Sequence, residues 1–498
     1  MFYTSTRNKN IKVTAAQAIA QGISEEGGLF VPCELPQFSL DKIASMVDMP
    51  YTQRAKTVLK DFLTDFSEEE LDYCINGAYA AEKFSSSKIA PTVNVAGNKN
   101  ILELWHGPTC AFKDMALQLL PYLMTVSAKK TADGKTIVIL VATSGDTGKA
   151  ALEGFKNVDH TRILVFYPVD GVSPMQKLQM TTQEGENVSV CAINGNFDDA
   201  QSAVKAIFTN DDIKAQLAQK NMMFSSANSI NWGRLVPQIV YYFSTYCDLI
   251  EQKRIALGDE INVVVPTGNF GNILAAYYAK NMGLPIKKLV CASNSNNVLT
   301  DFLKTGEYNK NRKFFTTTSP SMDILISSNL ERLLYHMSGE DDNLVNDLMK
   351  ALSANGKYEV PKALIEAVQD VFDAGCCDEA SVDATIKEHF DKYHYLCDTH
   401  TAVAVNVYDD YVKRTGDDIP TVIDSTASPY KFSKSVLTAV MGGKVPELDE
   451  FSMVDELNNV SGVDVPKPLQ ALKDKAVRFN NVCDKENMSE MVFKLLNL

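Results

Sequence analysis

The sequence is poor in several things that mark whole classes of protein. It has only 6 histidines and 2 tryptophans in 498 residues, and no Cys-x-x-Cys, His-Glu-x-x-His or Gly-x-Ser-x-Gly. Those absences remove the common zinc signatures and the serine-hydrolase elbow, so no metal is expected. The 10 cysteines, including the adjacent Cys376 and Cys377, follow no metal-ligand spacing and read as reduced, mostly buried thiols. No apolar run reaches the ~18 residues of a membrane span. The polar start Met1-Phe2-Tyr3-Thr4-Ser5-Thr6-Arg7 lacks the apolar centre of a secretory signal. A cytoplasmic protein that does not enter membranes is expected. Positive charge is also scarce: 48 Lys and Arg against 62 Asp and Glu leave a net charge of −14. That speaks against nucleic acid as a partner. Small anions are not excluded, because they need only a local positive site.

What is present is an ordinary globular composition, 45% hydrophobic and 22% charged. At about 100–200 residues per domain the length allows two to four domains. Residues 1 to about 92 read as an α+β unit with no catalytic constellation. In it Val13 to Gly22 predicts a short helix ended by glycine, and Ser67 with Glu70 makes a capping box. From about residue 93 strands and helices alternate. Thr136 to Ala142, Arg162 to Tyr167, Val188 to Ile193, Ile261 to Pro266 and Lys288 to Ala292 are short apolar runs of the buried parallel kind. Thr421 to Asp424 is a late strand. The alternation predicts parallel sheets with helices on both faces. The stretch from about 330 to 395 reads as helical and acidic, and the last 50 residues as a helical tail.

The chain turns on the stretch Trp105-His106-Gly107-Pro108-Thr109-Cys110-Ala111-Phe112-Lys113-Asp114, where turn residues run into one lysine and then a helical pattern. Alone, such a lysine is more often a solvated one in a first helical turn. It can do amine chemistry when an apolar site or a nearby cation makes its neutral form accessible. Two glycine turns sit between a strand and a helix, where free N–H groups and a positive dipole end favour an anion. Thr267-Gly268-Asn269-Phe270-Gly271-Asn272 is a candidate phosphate cradle, though it equally suits a plain turn. It matches neither the nucleotide P-loop nor the dinucleotide fingerprint. Thr143-Ser144-Gly145-Asp146-Thr147-Gly148 could hold a carboxylate, although an ordinary helix cap is the more common use of such residues. Asn228-Ser229-Ile230-Asn231-Trp232-Gly233-Arg234 offers amides, a hydroxyl and an arginine suited to phosphate oxygens. His400 could be an acid or base, but a single histidine is more often structural.

Together these stretches resemble the threonine synthases, pyridoxal-phosphate enzymes of the tryptophan-synthase-β fold type, in the longer form with an N-terminal domain. The likeness rests on Tyr3 to Arg7 with Gly27 to Pro32, His106 to Asp114, Ala142 to Gly148, Pro266 to Asn272, and Ser425-Thr426-Ala427 with Pro429 to Phe432. It implies an α/β fold of two parallel-sheet three-layer domains plus the N-terminal α+β domain. The implied division is 1–92, then 93–130 with 225–498 as the large cofactor domain, and 131–224 as the smaller one. It implies that Lys113 carries pyridoxal 5'-phosphate as a Schiff base and then acts as general base. Gly268, Asn269, Phe270, Gly271 and Asn272 would hold the cofactor phosphate, and Thr426 the pyridine nitrogen. Asp146 would lie at the cofactor edge, and Ser144, Gly145 and Thr147 at the substrate carboxylate. Asn228, Ser229 and Arg234 are candidates for the substrate phosphate. The implied reaction turns O-phospho-L-homoserine and water into L-threonine and phosphate, in a monomer or homodimer. Another enzyme of the same fold type, such as a serine/threonine dehydratase, and a non-catalytic relative are the alternatives. Thr399 and Ser428-Pro429-Tyr430-Lys431-Phe432 depart from the common family pattern.

Overall fold

Ile261–Pro266 and Thr421–Ser425 bury every residue, which only a strand covered on both faces can do. In the computed structural model, which describes residues 1–131, 134–443 and 447–498, they are the central strands of a six-stranded sheet. Its order is Phe372–Cys376, Ile286–Ser293, Ile261–Pro266, Thr421–Ser425, Lys99–Glu103, Thr92–Ala96. All pairs are parallel except the last, a hairpin turned at Gly97. The second sheet is wholly parallel, in the order Asn481–Asp484, Val188–Asn194, Thr161–Pro168, Thr136–Ala142, Met222–Ser225. The helix Trp232–Glu251 is buried from Trp232 to Leu249 and packs beside the helix Gly271–Asn281.

The N-terminal unit has a three-stranded antiparallel sheet and the expected helices. Thr14 and Gln17 form a capping box on Ala15–Gln21, closed by Gly22 at φ 77°. Ser67 and Glu70 do the same for Glu68–Ala78. This unit is tied to the rest by buried polar contacts. Arg54 pairs with Asp248 at 2.7 Å, and the Asn231 amide donates to the Ile19 carbonyl at 3.0 Å.

Two expectations need correction. The stretch from 330 to 395 is not all helix: Phe372–Cys376 forms the edge strand of the large sheet. Its Asp373 and Gly375 break the apolar run, and only alternate residues, Phe372 and Ala374, are buried. The last 50 residues are not a purely helical tail either. Asn481–Asp484 pairs with Val188–Asn194 in the smaller sheet, a non-local contact that four residues, two of them polar, do not announce. We propose that the smaller unit therefore includes the C-terminal residues 481–498 with 131–224.

Candidate active site

The strands Lys99–Glu103, Thr421–Ser425, Ile261–Pro266 and Thr136–Ala142 all end at the same cleft, and each candidate segment follows one of them. Ligands of open α/β sheets sit beyond such carboxyl ends. The lysine loop is clamped to the neighbouring strand end. The Phe112 amide donates to the Thr426 carbonyl at 2.8 Å, Ala111 bridges Ala427, and the Ser428 amide donates to Cys110. Asp114 is buried and binds the Thr109 amide at 2.8 Å and its hydroxyl at 2.7 Å. Gly107 is required there, because a Cβ would lie 2.6 Å from Asp114.

Lys113 itself is half-buried and starts the short helix Asp114–Leu117. Burial pushes its ammonium down to about 8. Asp146 opposes that shift, while the cations of Arg234 and Lys431 add to it. The amine reaches the Ser321 hydroxyl at 3.5 Å. Asp146 begins the helix Asp146–Phe155 after Gly145, which has φ 130°. Its carboxylate meets the wholly buried Lys431 at 2.6 Å and Gln176 at 3.0 Å. Burial alone would raise the Asp146 carboxyl; the charges of Lys431 and Lys113 overturn that and hold it well below the usual carboxylate range.

Each glycine turn offers donors. Among the described residues the amides of Gly268, Asn269, Phe270, Gly271, Asn272 and Ile273 meet no protein acceptor. Phe270 takes a left-handed conformation at φ 63°, which turns the chain into the helix. The loop is held from outside: Asn329 donates twice to the Asn269 carbonyl, and the Ser327 hydroxyl donates to Gly268. Gly268 lies so close to the next segment that a Cβ would sit 2.7 Å from the Ser321 carbonyl oxygen. Asn272 presents only its amide to the loop. Its side chain bonds Tyr241, Tyr242 and Asp424, the last at 2.9 Å. In the second turn Thr143 accepts from Gly145 and Gly148, and the amides of Asp146 and Thr147 meet no acceptor among the described residues.

Arg234 is buried, and its Nε has no partner. One Nη donates to the Ala227 carbonyl, and burial pushes the guanidinium down to about 10. No carboxylate pairs with it among the described residues. Ser229 flanks the first turn, where a Cβ on Gly271 would approach its side chain to 3.7 Å. The Ser229 carbonyl accepts from Arg332, and the Asn228 carbonyl accepts from the Asn231 amide. Thr426 is buried, and its hydroxyl finds no protein partner among the described residues. A cavity of about 260 Å³ opens between Ser144 and Asn196 on one side and Phe314, Pro320 and Asp323 on the other.

Lys431 and Ser321 are the contacts that sequence reasoning passed over. Lys431 lies in Pro429 to Phe432 without an assigned role; its signal was a lysine inside an apolar turn. Ser321 lies in Ser319-Pro320-Ser321-Met322-Asp323, a turn cluster within a long connection, and nothing in its spacing ties it to Lys113.

Three family models match the chain: "Threonine synthase N terminus" over residues 2–79, "Pyridoxal-phosphate dependent enzyme" over 101–418 and "Threonine synthase, C-terminal" over 401–492. Threonine synthase of Pseudomonas aeruginosa is 38% identical over 444 residues, 89% of this chain and 91% of that one. The chain belongs to the threonine synthase family. The crystal structure of pyridoxal-phosphate-bound threonine synthase from Brucella melitensis superposes with a TM-score of 0.85 at 35% identity, covering 99% of both chains. Human threonine synthase-like 1 is 43% identical over 447 residues, and this chain spans 59% of its length.

The cofactor of threonine synthases, pyridoxal phosphate, fits the residues present. The six unpaired amides at the Gly268 turn suit its phosphate, and Gly268 keeps the backbone open to it. The unpaired Thr426 hydroxyl is a neutral group for a pyridine nitrogen.

Proposed function

We propose that the protein is a threonine synthase, converting O-phospho-L-homoserine and water to L-threonine and phosphate. One observation carries this reading. The Lys113 amine, its pKa lowered by burial, stands near a buried guanidinium with no carboxylate partner, in a cleft with two helix starts whose amides meet no acceptor among the described residues. The amides of the Gly268 turn suit one anion, a cofactor phosphate; the cationic Arg234 suits a second, on a substrate that brings its own. Bound at the Gly268 turn, pyridoxal phosphate supplies an aldehyde for amino groups and an electron sink for carbanion chemistry.

The chain's residues do the rest. Lys113, with a pKa of about 8, is neutral in roughly one molecule in ten at pH 7 and in about half at pH 8. The neutral Nζ is nucleophilic, and it can then take the substrate's Cα proton and next a Cβ proton. Gly268 to Asn272 hold the cofactor phosphate by backbone amides. Thr426 offers the pyridine nitrogen a hydroxyl rather than a carboxylate, which leaves that nitrogen less firmly protonated. Asp146, ionised and paired with Lys431, favours the protonated state of Lys113 once it has taken a proton. Ser144, Gly145 and Thr147 receive the substrate carboxylate. Arg234, with Asn228 and Ser229 nearby, receives its phosphate.

Arg234→Ala is expected to raise the KM for O-phosphohomoserine by roughly 10- to 100-fold, the loss of about 1.5–3 kcal/mol for a hydrogen bond to a charged group. Steady-state kinetics reads this directly, and an unchanged KM removes Arg234 from the phosphate site. The reaction itself is tested by supplying purified protein and pyridoxal phosphate with O-phosphohomoserine and measuring both products. Equal phosphate and threonine support the proposal. Phosphate without threonine indicates a sibling lyase, and neither product a non-catalytic relative.

A further inference from the structure

Ser321 touches three parts of the site with its three polar groups. Its amide donates to His400 Nε2 at 3.1 Å. Its carbonyl lies against Gly268 of the phosphate turn. Its hydroxyl stands between Lys113 Nζ at 3.5 Å and Asp146 Oδ2 at 3.2 Å. Among the described residues, no other joins the amine, the carboxylate and the glycine turn.

The position of Ser321 is set by a histidine whose own state is fixed. Asp398 caps the helix Thr399–Thr415, accepting from the amides of His400 and Thr401 and from the Thr401 hydroxyl. Its Oδ2 also lies 2.7 Å from His400 Nδ1. A backbone N–H can only donate, so His400 Nε2 must present a lone pair to Ser321. The ring proton is then on Nδ1 and faces the carboxylate. A histidine held in that tautomer is occupied at both nitrogens, and the Phe432 ring packs on it at 4.9 Å. It serves as a clamp rather than as an acid or base. A second tie helps: the Thr399 hydroxyl donates to the Thr318 carbonyl at 2.7 Å. The segment bearing Ser321 is thus fastened at two points to the start of one helix.

We infer that Ser321 is a further catalytic residue, whose hydroxyl holds the Lys113 amine against Asp146 and shares the charge that the amine acquires on taking a proton. The direction of donation is forced. Asp146 is a carboxylate already met by Lys431 and Gln176, so the hydroxyl proton points to Asp146 and the hydroxyl oxygen accepts from Lys113. In the proton transfer a C–H bond of the substrate breaks and an N–H bond forms at Nζ. The serine proton stays on its oxygen, and nothing is oxidised or reduced. The groups that face Lys113 are Asp146 and Asp114, which favour its charge, and Arg234 and Lys431, which oppose it. Ser321 adds a neutral acceptor on the side of the charged form.

The test is Ser321→Ala, with Ser321→Thr as the variant that keeps the hydroxyl. In the apoprotein, the pH dependence of labelling at Lys113 by an amine-reactive reagent, read by peptide mass spectrometry, gives the midpoint of that amine. Loss of the hydroxyl is expected to lower the midpoint by about one pH unit. In the holoenzyme kcat should fall about tenfold with KM unchanged. Ser321→Thr should restore both, and unfolding curves should coincide for all three proteins. An unmoved midpoint in Ser321→Ala, or an equal loss in Ser321→Thr, overturns the role. The inference rests on Lys113 as the working amine, but the labelling needs neither cofactor nor turnover. A protein whose midpoint shifts as expected but which makes no threonine keeps this role and loses the proposed reaction.

Discussion

Lys113→Ala is expected to abolish product formation, lowering kcat by at least about 10³-fold, because the proposed reaction gives one amine the roles of both nucleophile and base. The same variant should lose the visible absorption that wild-type protein acquires with pyridoxal phosphate. Borohydride should fix the cofactor to the Lys113 peptide in the wild type and to no peptide in the variant. A pH profile adds a quantitative check. Burial lowers this amine from 10.5 to about 8, so the neutral form that captures an aldehyde gains over the physiological range. Capture by the apoprotein should therefore speed up as pH rises and level off above about 8. A profile still climbing steeply through pH 10 would mean a solvated lysine and would sink the reading. Folding should survive the substitution. Removing a half-buried cation that desolvation already disfavours costs little, and Asp146 keeps Lys431 as its partner.

That lysine was legible in the sequence because a whole segment announces it: a turn, a lysine and then a helix in direct succession. The glycine turn at Gly268 was legible for a similar reason. A strand, a tight turn and a helix follow one another along the chain, and the apolar run before the turn is buried on both faces. Local order of this kind survives in a one-dimensional reading. What did not survive is pairing across distance. Asp146 was placed at the cofactor edge with no partner named, because its partner lies 285 positions away, at Lys431. Both residues stand in motifs of the sequence, but nothing in their spacing joins them. Ser321 reaches Lys113 across 208 positions and was missed altogether. The two unexpected strands fail for a related cause. Phe372–Cys376 and Asn481–Asp484 are both sheet edges, where one side needs no apolar cover and the hydrophobic signal thins.

Lys431→Met is expected to be the most damaging change outside the reacting amine, because it removes the charge that Asp146 was buried with. Lys431 has no solvent exposure, and its ammonium also donates to the Thr109 carbonyl at 3.1 Å, at the root of the lysine loop. Breaking a buried ion pair from one side costs about 3–5 kcal/mol, since the remaining charge keeps its desolvation penalty without its attraction. Gln176 and Ser321 still donate to Asp146, so the lower end of that range is expected. Urea unfolding of Lys431→Met against wild type measures it. The pH dependence has a definite sign. Asp146 titrates well below its unfolded value of about 3.9 in the wild type, so its stabilisation is full above that value and drains away as pH falls from there through the lower folded value. The gap between wild type and variant should then be widest near neutral pH and narrow on acidification. Lys431→Met combined with Asp146→Asn should recover much of the lost stability, because no lone charge is left. It should not recover activity. Asp146 and the Ser321 hydroxyl that donates to it both face the Lys113 amine, and removing the carboxylate lowers that amine further. Stability and turnover should therefore separate in the double variant. If both return together, the pair holds the fold and does not serve the lysine.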